Sequence, residues 1–161
     1  MRRIALELLT RLISPEELHS GSIFGALSRD AILFLLRRGR IWDVRAGDAV
    51  FNYGDRGDSF FLVCSGSLHF LKQKDGHRFH TRTIEFGQEV GFVAMIALVR
   101  RQGTAIANRD CLLLEIDSAL FSELHEAHPA DFGLMTLNLA RDMARQVCRL
   151  GDLLVEHSIS Y

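Results

Sequence analysis

The chain has 161 residues, 48% of them hydrophobic and 24% charged, with a formal net charge of −1 at pH 7. That is enough material for a hydrophobic core, and the near-zero charge excludes recruitment of nucleic acid or a membrane surface by a global field. The longest unbroken apolar run, Phe92 to Val99, is far too short to span a bilayer, and Cys64, Cys111 and Cys148 are widely spaced with no C-x-x-C pattern, which fits a reducing cytoplasm.

In chain order, the first stretch, 2–13, places Ile4, Leu8 and Leu12 on one helical face with Ala5 and Leu9 beside them. Charges within this stretch and the lack of a cleavage motif argue against a signal peptide. Ser14-Pro15-Glu16-Glu17 reads as a fresh helix start, with serine as cap, proline at the first position and acids in the first turn. Gly21 and Gly25 break that helix. Ser28-Arg29-Asp30 starts another, with an apolar body from Ile32 to Leu36, and Gly39 ends it. Residues 1–39 therefore form a helical lead-in packed on the rest of the domain.

From Arg40 the period becomes that of strands. Glycines at 47, 54, 57, 66, 76 and 87 punctuate short apolar or alternating runs. The expected strands are Val50–Phe51, Phe60–Cys64, Ser67–Leu71, Phe79–Ile84, Thr104–Ala107 and Cys111–Ile116, with a hairpin turn at Asp75-Gly76. Gly54 and Gly57 are read as turn residues with positive φ. This pattern gives the fold class α+β: an antiparallel, jelly-roll-like β-roll over 40–117, with flanking helices. Asp117-Ser118 caps a helix that His128-Pro129 stops, and a long C-terminal helix then runs from about Pro129 to His157 within a helical segment 118–161. Its positions 136, 140, 143, 147, 150, 154 and 157 make a coiled-coil-like seam, which predicts a homodimer.

The stretch with the clearest chemistry is 86–107, F-G-Q-E-V-G-F-V-A-M-I-A-L-V-R-R-Q-G-T-A-I-A. Glu89 lies in a glycine-flanked turn, the apolar run beyond it is long enough for two helical turns, and Arg101 opens an alternating strand. A turn that leads into a short helix offers free amides to an anion, an arginine beside it can fork onto a phosphate, and a carboxylate can accept from sugar hydroxyls. The bland alternative is a surface ion pair between Glu89 and Arg101.

This stretch resembles the phosphate-binding cassette of cyclic-nucleotide-binding domains, the family of catabolite activator protein and of the regulatory subunits of protein kinase A. Glu89-Val90-Gly91-Phe92 matches the first half of the cassette pattern, and Arg101, Gly103, Thr104 and Ala107 match the second. The run A-G-D-A-V-F-N-Y-G-D-R-G-D-S-F-F-L-V-C-S-G-S-L resembles the family's β-roll, so the likeness covers roughly Ile23 to Gly151. It implies a cyclic-nucleotide sensor, with cAMP favoured over cGMP. Glu89 would take the ribose 2′-hydroxyl and Arg101 the phosphate, with Gln88, Val90, Gly91, Gln102 and Thr104 completing the ligand shell. Val147 and Leu150 on the final helix would cap the base. Three departures stand out: Gln88 where the family has glycine, Gln102 after the arginine, and a longer Glu-to-Arg interval.

No catalytic dyad, nucleophile elbow or metal constellation is evident, so neither enzymatic activity nor a bound cofactor is expected. Output would pass to an unidentified protein partner or through dimerisation, with no nucleic acid and no membrane span. His77 and His80, and His125 and His128, lack the partners a metal site needs. Asp55 and Asp58 lack the spacing of a calcium loop. Two alternatives remain: an interaction module on the same roll that no longer binds nucleotide, and a haem or redox sensor. Scattered cysteines and the lack of a histidine in the cassette weaken the second.

Overall fold

Strand formation begins earlier than the hydrophobic pattern suggests. In a computed structural model, which describes residues 1–156, β1 (Arg2–Ile4) pairs antiparallel with β2 (Arg40–Val44) as a sheet edge. An ion pair from Arg2 to Asp43 at 2.7 Å accompanies the pairing. The expected helix over 2–13 is therefore shortened to α1 (Leu6–Leu12), and its buried residue is Leu9, while Leu8 and Leu12 are exposed. Edge pairing with β2 outweighs the helical spacing of Ile4, Leu8 and Leu12.

Helix caps follow the sequence closely. In α2 (Pro15–His19) Ser14 and Glu17 form a reciprocal capping box. In α3 (Arg29–Arg38) Ser28 caps the start and Gly39 ends it. The remaining strands are β3 (Ala49–Phe51), β4 (Ser59–Ser65), β5 (Leu68–Lys74), β6 (His77–Ile84), β7 (Glu89–Val90), β8 (Thr104–Ala107) and β9 (Cys111–Asp117). Asp75 and Gly76 both have positive φ, 51° and 77°, as a two-residue hairpin turn requires. Gly54 also has positive φ, 85°, but Gly57 does not. Gly57 is needed for closeness instead: a Cβ there would meet the Val99 carbonyl and the Ala94 side chain.

Two antiparallel sheets result, β1-β2-β9-β4-β7 and β3-β8-β5-β6. Alternation along β4 divides the interior. Phe61 and Val63 face the second sheet, together with Val44, Phe51, Leu68, Ile84, Val90, Ala105 and Leu113. Phe60, Leu62 and Cys64 face the helices, among Leu9, Phe24, Leu35, Phe92, Leu124 and Leu139. With both faces covered, β4 reads as a continuous apolar run.

The short helix inside the cassette, α4 (Phe92–Ile96), is barely more than one turn, not two. It gives way to Leu98, which has φ 55° and is 92% exposed. After β9 come α5 (Ser118–Ala127), capped by the Asp117 side chain, and α6 (Pro129–Glu156). The buried stripe of α6 is Met135, Leu139 and Asp142. Of the proposed seam, Thr136 and Met143 are half-buried, Ala140, Val147, Leu150 and Leu154 are exposed, and His157 lies outside the described residues. Every described residue of α6 beyond Gln146 is exposed.

Candidate functional site

A cavity of about 360 Å³ opens between the second sheet, the cassette and α6. Its floor is Phe51 and Phe70, its inner end is Glu89, Val90, Gly91 and Arg101, and its α6 wall is Gln146, Arg149, Leu150 and Leu153. A larger cleft of about 540 Å³ near α2 has Glu17 and Glu85 on its walls with Arg109 as its cation, a poorer setting for an anion.

Strand β8 and the chain just before it deliver Arg101 from one side, and β7 with α4 approach from the other. Arg101 is only 3% exposed. Its guanidinium donates to the Gly91 carbonyl at 3.0 Å and to the Ser59 hydroxyl at 3.1 Å, and stacks 4.3 Å from the centre of the Phe51 ring. Its Nε is buried with no hydrogen-bond partner, and among the described residues no carboxylate reaches it within ion-pair distance. Burial holds this guanidinium below its ordinary pKa, against the pull of more distant acids such as Asp58 and Glu115. Gly91 has φ 102°, and a Cβ there would collide with the Arg101 guanidinium, so glycine is needed both for the turn and for the close approach.

Glu89 is equally buried, 3% exposed, and lies on a strand, paired with Leu62 across β4. The sequence reading of a turn residue is corrected by that ladder pairing. Its carboxylate accepts from the Phe92 amide at 2.9 Å, capping α4. One of the amides expected to be free for an anion is thus already bound. Burial pushes the Glu89 carboxyl up to about 7, opposed by the Phe92 amide and by Arg82. The surface ion pair between Glu89 and Arg101 is not what forms: both groups are buried and each has other partners.

Of the residues singled out from sequence, Glu89, Val90, Gly91, Arg101 and Gln102 line the cavity, and so does Leu150 on α6. Gln88 does not; its side-chain oxygen accepts from the Glu85 amide at 2.9 Å and closes the preceding turn. Thr104 is buried and accepts from the Tyr53 amide at 3.1 Å, so it ties β8 to the loop after β3. Val147 is exposed and lies off the cavity wall, because the helix turns Gln146, Arg149, Leu150 and Leu153 toward the site.

Sequence reasoning missed Arg82. It lines the cavity, donates to the Glu89 carbonyl and pairs with Asp142 of α6 at 3.3 Å. The signal was available in the strand period: Arg82 shares a face with the fully buried Ile84, and a cation on a core-facing position needs a partner. Lys72 and Thr81 on the same hairpin, and Arg149 on α6, also face the cavity. Among the described residues there is no cluster of three His, Cys, Asp or Glu side chains suited to a metal, and no helix is long and apolar enough to cross a membrane.

The sequence profile of the family described as cyclic nucleotide-binding domain matches residues 41–128. The chain is similar to lysophospholipase NTE1 of Mycosarcoma maydis, 36% identical over 107 residues, which is 65% of this chain and 5% of that protein. It is also similar to the cAMP-dependent protein kinase regulatory subunit of Yarrowia lipolytica, 28% identical over 63% of this chain and 26% of that protein. The chain thus spans a small fraction of the length of these relatives. Among solved structures, a cyclic nucleotide-binding domain from Methylobacillus flagellatus superposes with a TM-score of 0.81 at 13% identity, over 99% of this chain and 90% of that one. The regulatory domain of Toxoplasma gondii protein kinase A, crystallised with cAMP, superposes with a TM-score of 0.59 at 22% identity, over 73% and 43% of the two chains.

Proposed function

The chain belongs to the cyclic nucleotide-binding domain family, and on that premise we propose that the cavity beneath α6 takes a cyclic nucleotide, with its phosphate on Arg101 and its ribose at Glu89. The observation that carries this reading is the state of Arg101. A buried guanidinium without a carboxylate, and with one nitrogen lacking any partner, is costly unless something anionic completes it. The volume, about 360 Å³, lies within the usual range for small-molecule pockets, roughly 300–1,000 Å³. Apolar Phe51, Phe70, Leu150 and Leu153 offer surfaces to a purine, and the Glu89 carboxyl is within the same cavity to accept from a sugar hydroxyl.

The role is sensing, not catalysis. Ligand docks on the preformed cassette, α6 repositions over the base, and the change is read by a protein partner or by a second copy of the chain. The exposed Val147, Leu150 and Leu154 support association through α6. cAMP is the favoured ligand, and the three free, separated cysteines support a cytoplasmic setting.

Isothermal titration with cAMP, cGMP and cyclic di-GMP tests the reading. One cyclic mononucleotide is expected to bind, and Arg101→Ala to weaken it by roughly ten- to a hundredfold, the worth of a hydrogen bond to a charged group. Arg100→Ala is the control: Arg100 is exposed and donates to the Gly54 carbonyl at 2.9 Å, outside the cavity, so binding should be near normal. No binding at millimolar concentration would turn the assignment to a nucleotide-free interaction module.

A further inference from the structure

Arg82 is shared between two elements that the proposed switch must move relative to each other. From β6 it donates to the Glu89 carbonyl at the inner end of the cavity and pairs with Asp142 on α6. The Gly91 carbonyl, two residues further along the same segment, is held by Arg101. Two guanidiniums therefore bracket the Glu89–Gly91 segment, and both line the cavity. They differ in engagement. Arg101 has an unpartnered nitrogen, whereas Arg82 is bound on both sides.

Asp142 sits at a boundary. N-terminal to it, α6 is attached to the body of the protein by buried Met135 and Leu139 and by Asn138, whose amide donates to the carbonyls of Ile23 and Gly25. C-terminal to Gln146 the helix is exposed throughout its described length. Among the described residues, the Arg82–Asp142 pair is thus the last ion pair between α6 and the roll before the exposed half of the helix. That exposed half carries Arg149, Leu150 and Leu153 of the cavity wall.

We propose that Arg82 is an anion-sensitive latch: empty, the site leaves Arg82 on Asp142 and fixes the pose of α6, and a bound phosphate draws Arg82 inward and releases the helix. The release strands no charge. Asp142 keeps the Gln146 amide at 2.6 Å and Arg145 at 3.7 Å, both on its own helix. Arg82 exchanges one anion for another and can retain the Glu89 carbonyl. Ligand and Asp142 then compete for one cation, which makes occupancy and helix position reciprocal.

The latch rests on the nucleotide reading, and the experiment separates the two. Titrations with cAMP and cGMP are run on wild type, Asp142→Asn, Arg82→Gln and the double variant, with thermal unfolding to confirm that each folds. Removing the competitor should tighten binding in Asp142→Asn by roughly fivefold or more, and Arg82→Gln should weaken it by about tenfold. In the Arg82→Gln background, Asp142→Asn should change nothing. If wild type binds but Asp142→Asn leaves affinity unchanged or lower, the latch is overturned and the nucleotide site stands. If wild type binds neither nucleotide at millimolar concentration, both fail. Should Asp142→Asn not fold, the Arg82 side-chain resonances of wild type decide: they must shift at saturating nucleotide, and an unchanged signal overturns the latch.

Discussion

The two walls of the cavity are built on opposite principles. The inner wall, β7 with α4 and Arg101, is buried, and its polar groups are held by neighbouring backbone: Glu89 by the Phe92 amide, Arg101 by the Gly91 carbonyl. The outer wall is the exposed half of α6, where Leu150 borders the cavity yet is 58% exposed. A wall that recognises an anion must be preorganised, because flexible donors lose entropy on binding. A wall that reports binding must have two positions of similar energy, which a deeply packed helix would not. On the proposed reading, each side takes one of these tasks.

Substitutions should separate the walls by their effect on stability. The largest effect is expected from Phe92→Ala. Phe92 packs edge-on to Phe60 at 5.3 Å and to Phe121 at 5.8 Å, so truncation should cost about 3–5 kcal/mol in denaturant unfolding. A loss under about 1 kcal/mol would mean that the inner wall is softer than its packing implies.

Next comes Glu89. Its carboxyl is raised from an ordinary 4.5 to about 7, so the folded state prefers the neutral acid. Its contribution to stability is complete below about pH 4.5 and is lost as pH rises through 7, by about 3 kcal/mol in the empty protein. Unfolding free energies at pH 5 and pH 8 should show most of that loss in wild type but not in Glu89→Gln. Parallel profiles for the two proteins would refute a buried, perturbed carboxyl.

On the outer wall, Leu150→Ala should leave stability within about 0.5 kcal/mol. It should weaken nucleotide binding by roughly three- to tenfold, as the loss of about 1 kcal/mol of apolar contact predicts. Smallest of all for the ligand is Val147→Arg, because Val147 is 68% exposed and outside the cavity. Affinity should be unchanged, while light scattering should report a monomer if α6 pairs two copies. A wild-type monomer would remove the dimer.

Legibility in the sequence divides along the same line. Six of the nine strands among the described residues, the caps and the hairpin were readable because each depends on local chemistry: Ser14 with Glu17, Ser28, Asp75-Gly76, Asp117. Arg101, Glu89 and Gly91 were readable as cavity residues because the short runs around them, Glu89-Val90-Gly91-Phe92 and Arg101 with Gly103-Thr104, match the family pattern despite the longer interval between them. The walls assembled from distant elements were not. Val147 and Leu150 are equivalent on a helical pattern, and only the docking of Met135, Leu139 and Asp142 fixes which of them turns toward the roll. For Arg82 the strand period marks a core-facing cation, but its partner Asp142, 60 residues away, is set only by the docking of α6. β1 escaped for a related reason: three residues carry no period, and the pairing that makes them a strand lies nearly forty residues downstream.

The double-sided burial of β4 has a use in spectroscopy. Phe60 and Phe61 are neighbours in the chain, yet their rings sit in different compartments. Phe60 lies against Phe92 and Phe121 on the helical side. Phe61 lies 6.1 Å from Phe51 and 5.9 Å from the Arg101 guanidinium, beneath the cavity. Fluorine on each ring would therefore give a sensor and a reference one residue apart. A ligand that engages Arg101 should move the resonance of ring 61 directly, while ring 60 moves only as far as the cassette helix shifts against α5. The ratio of the two displacements would measure how much of the binding event crosses the sheet.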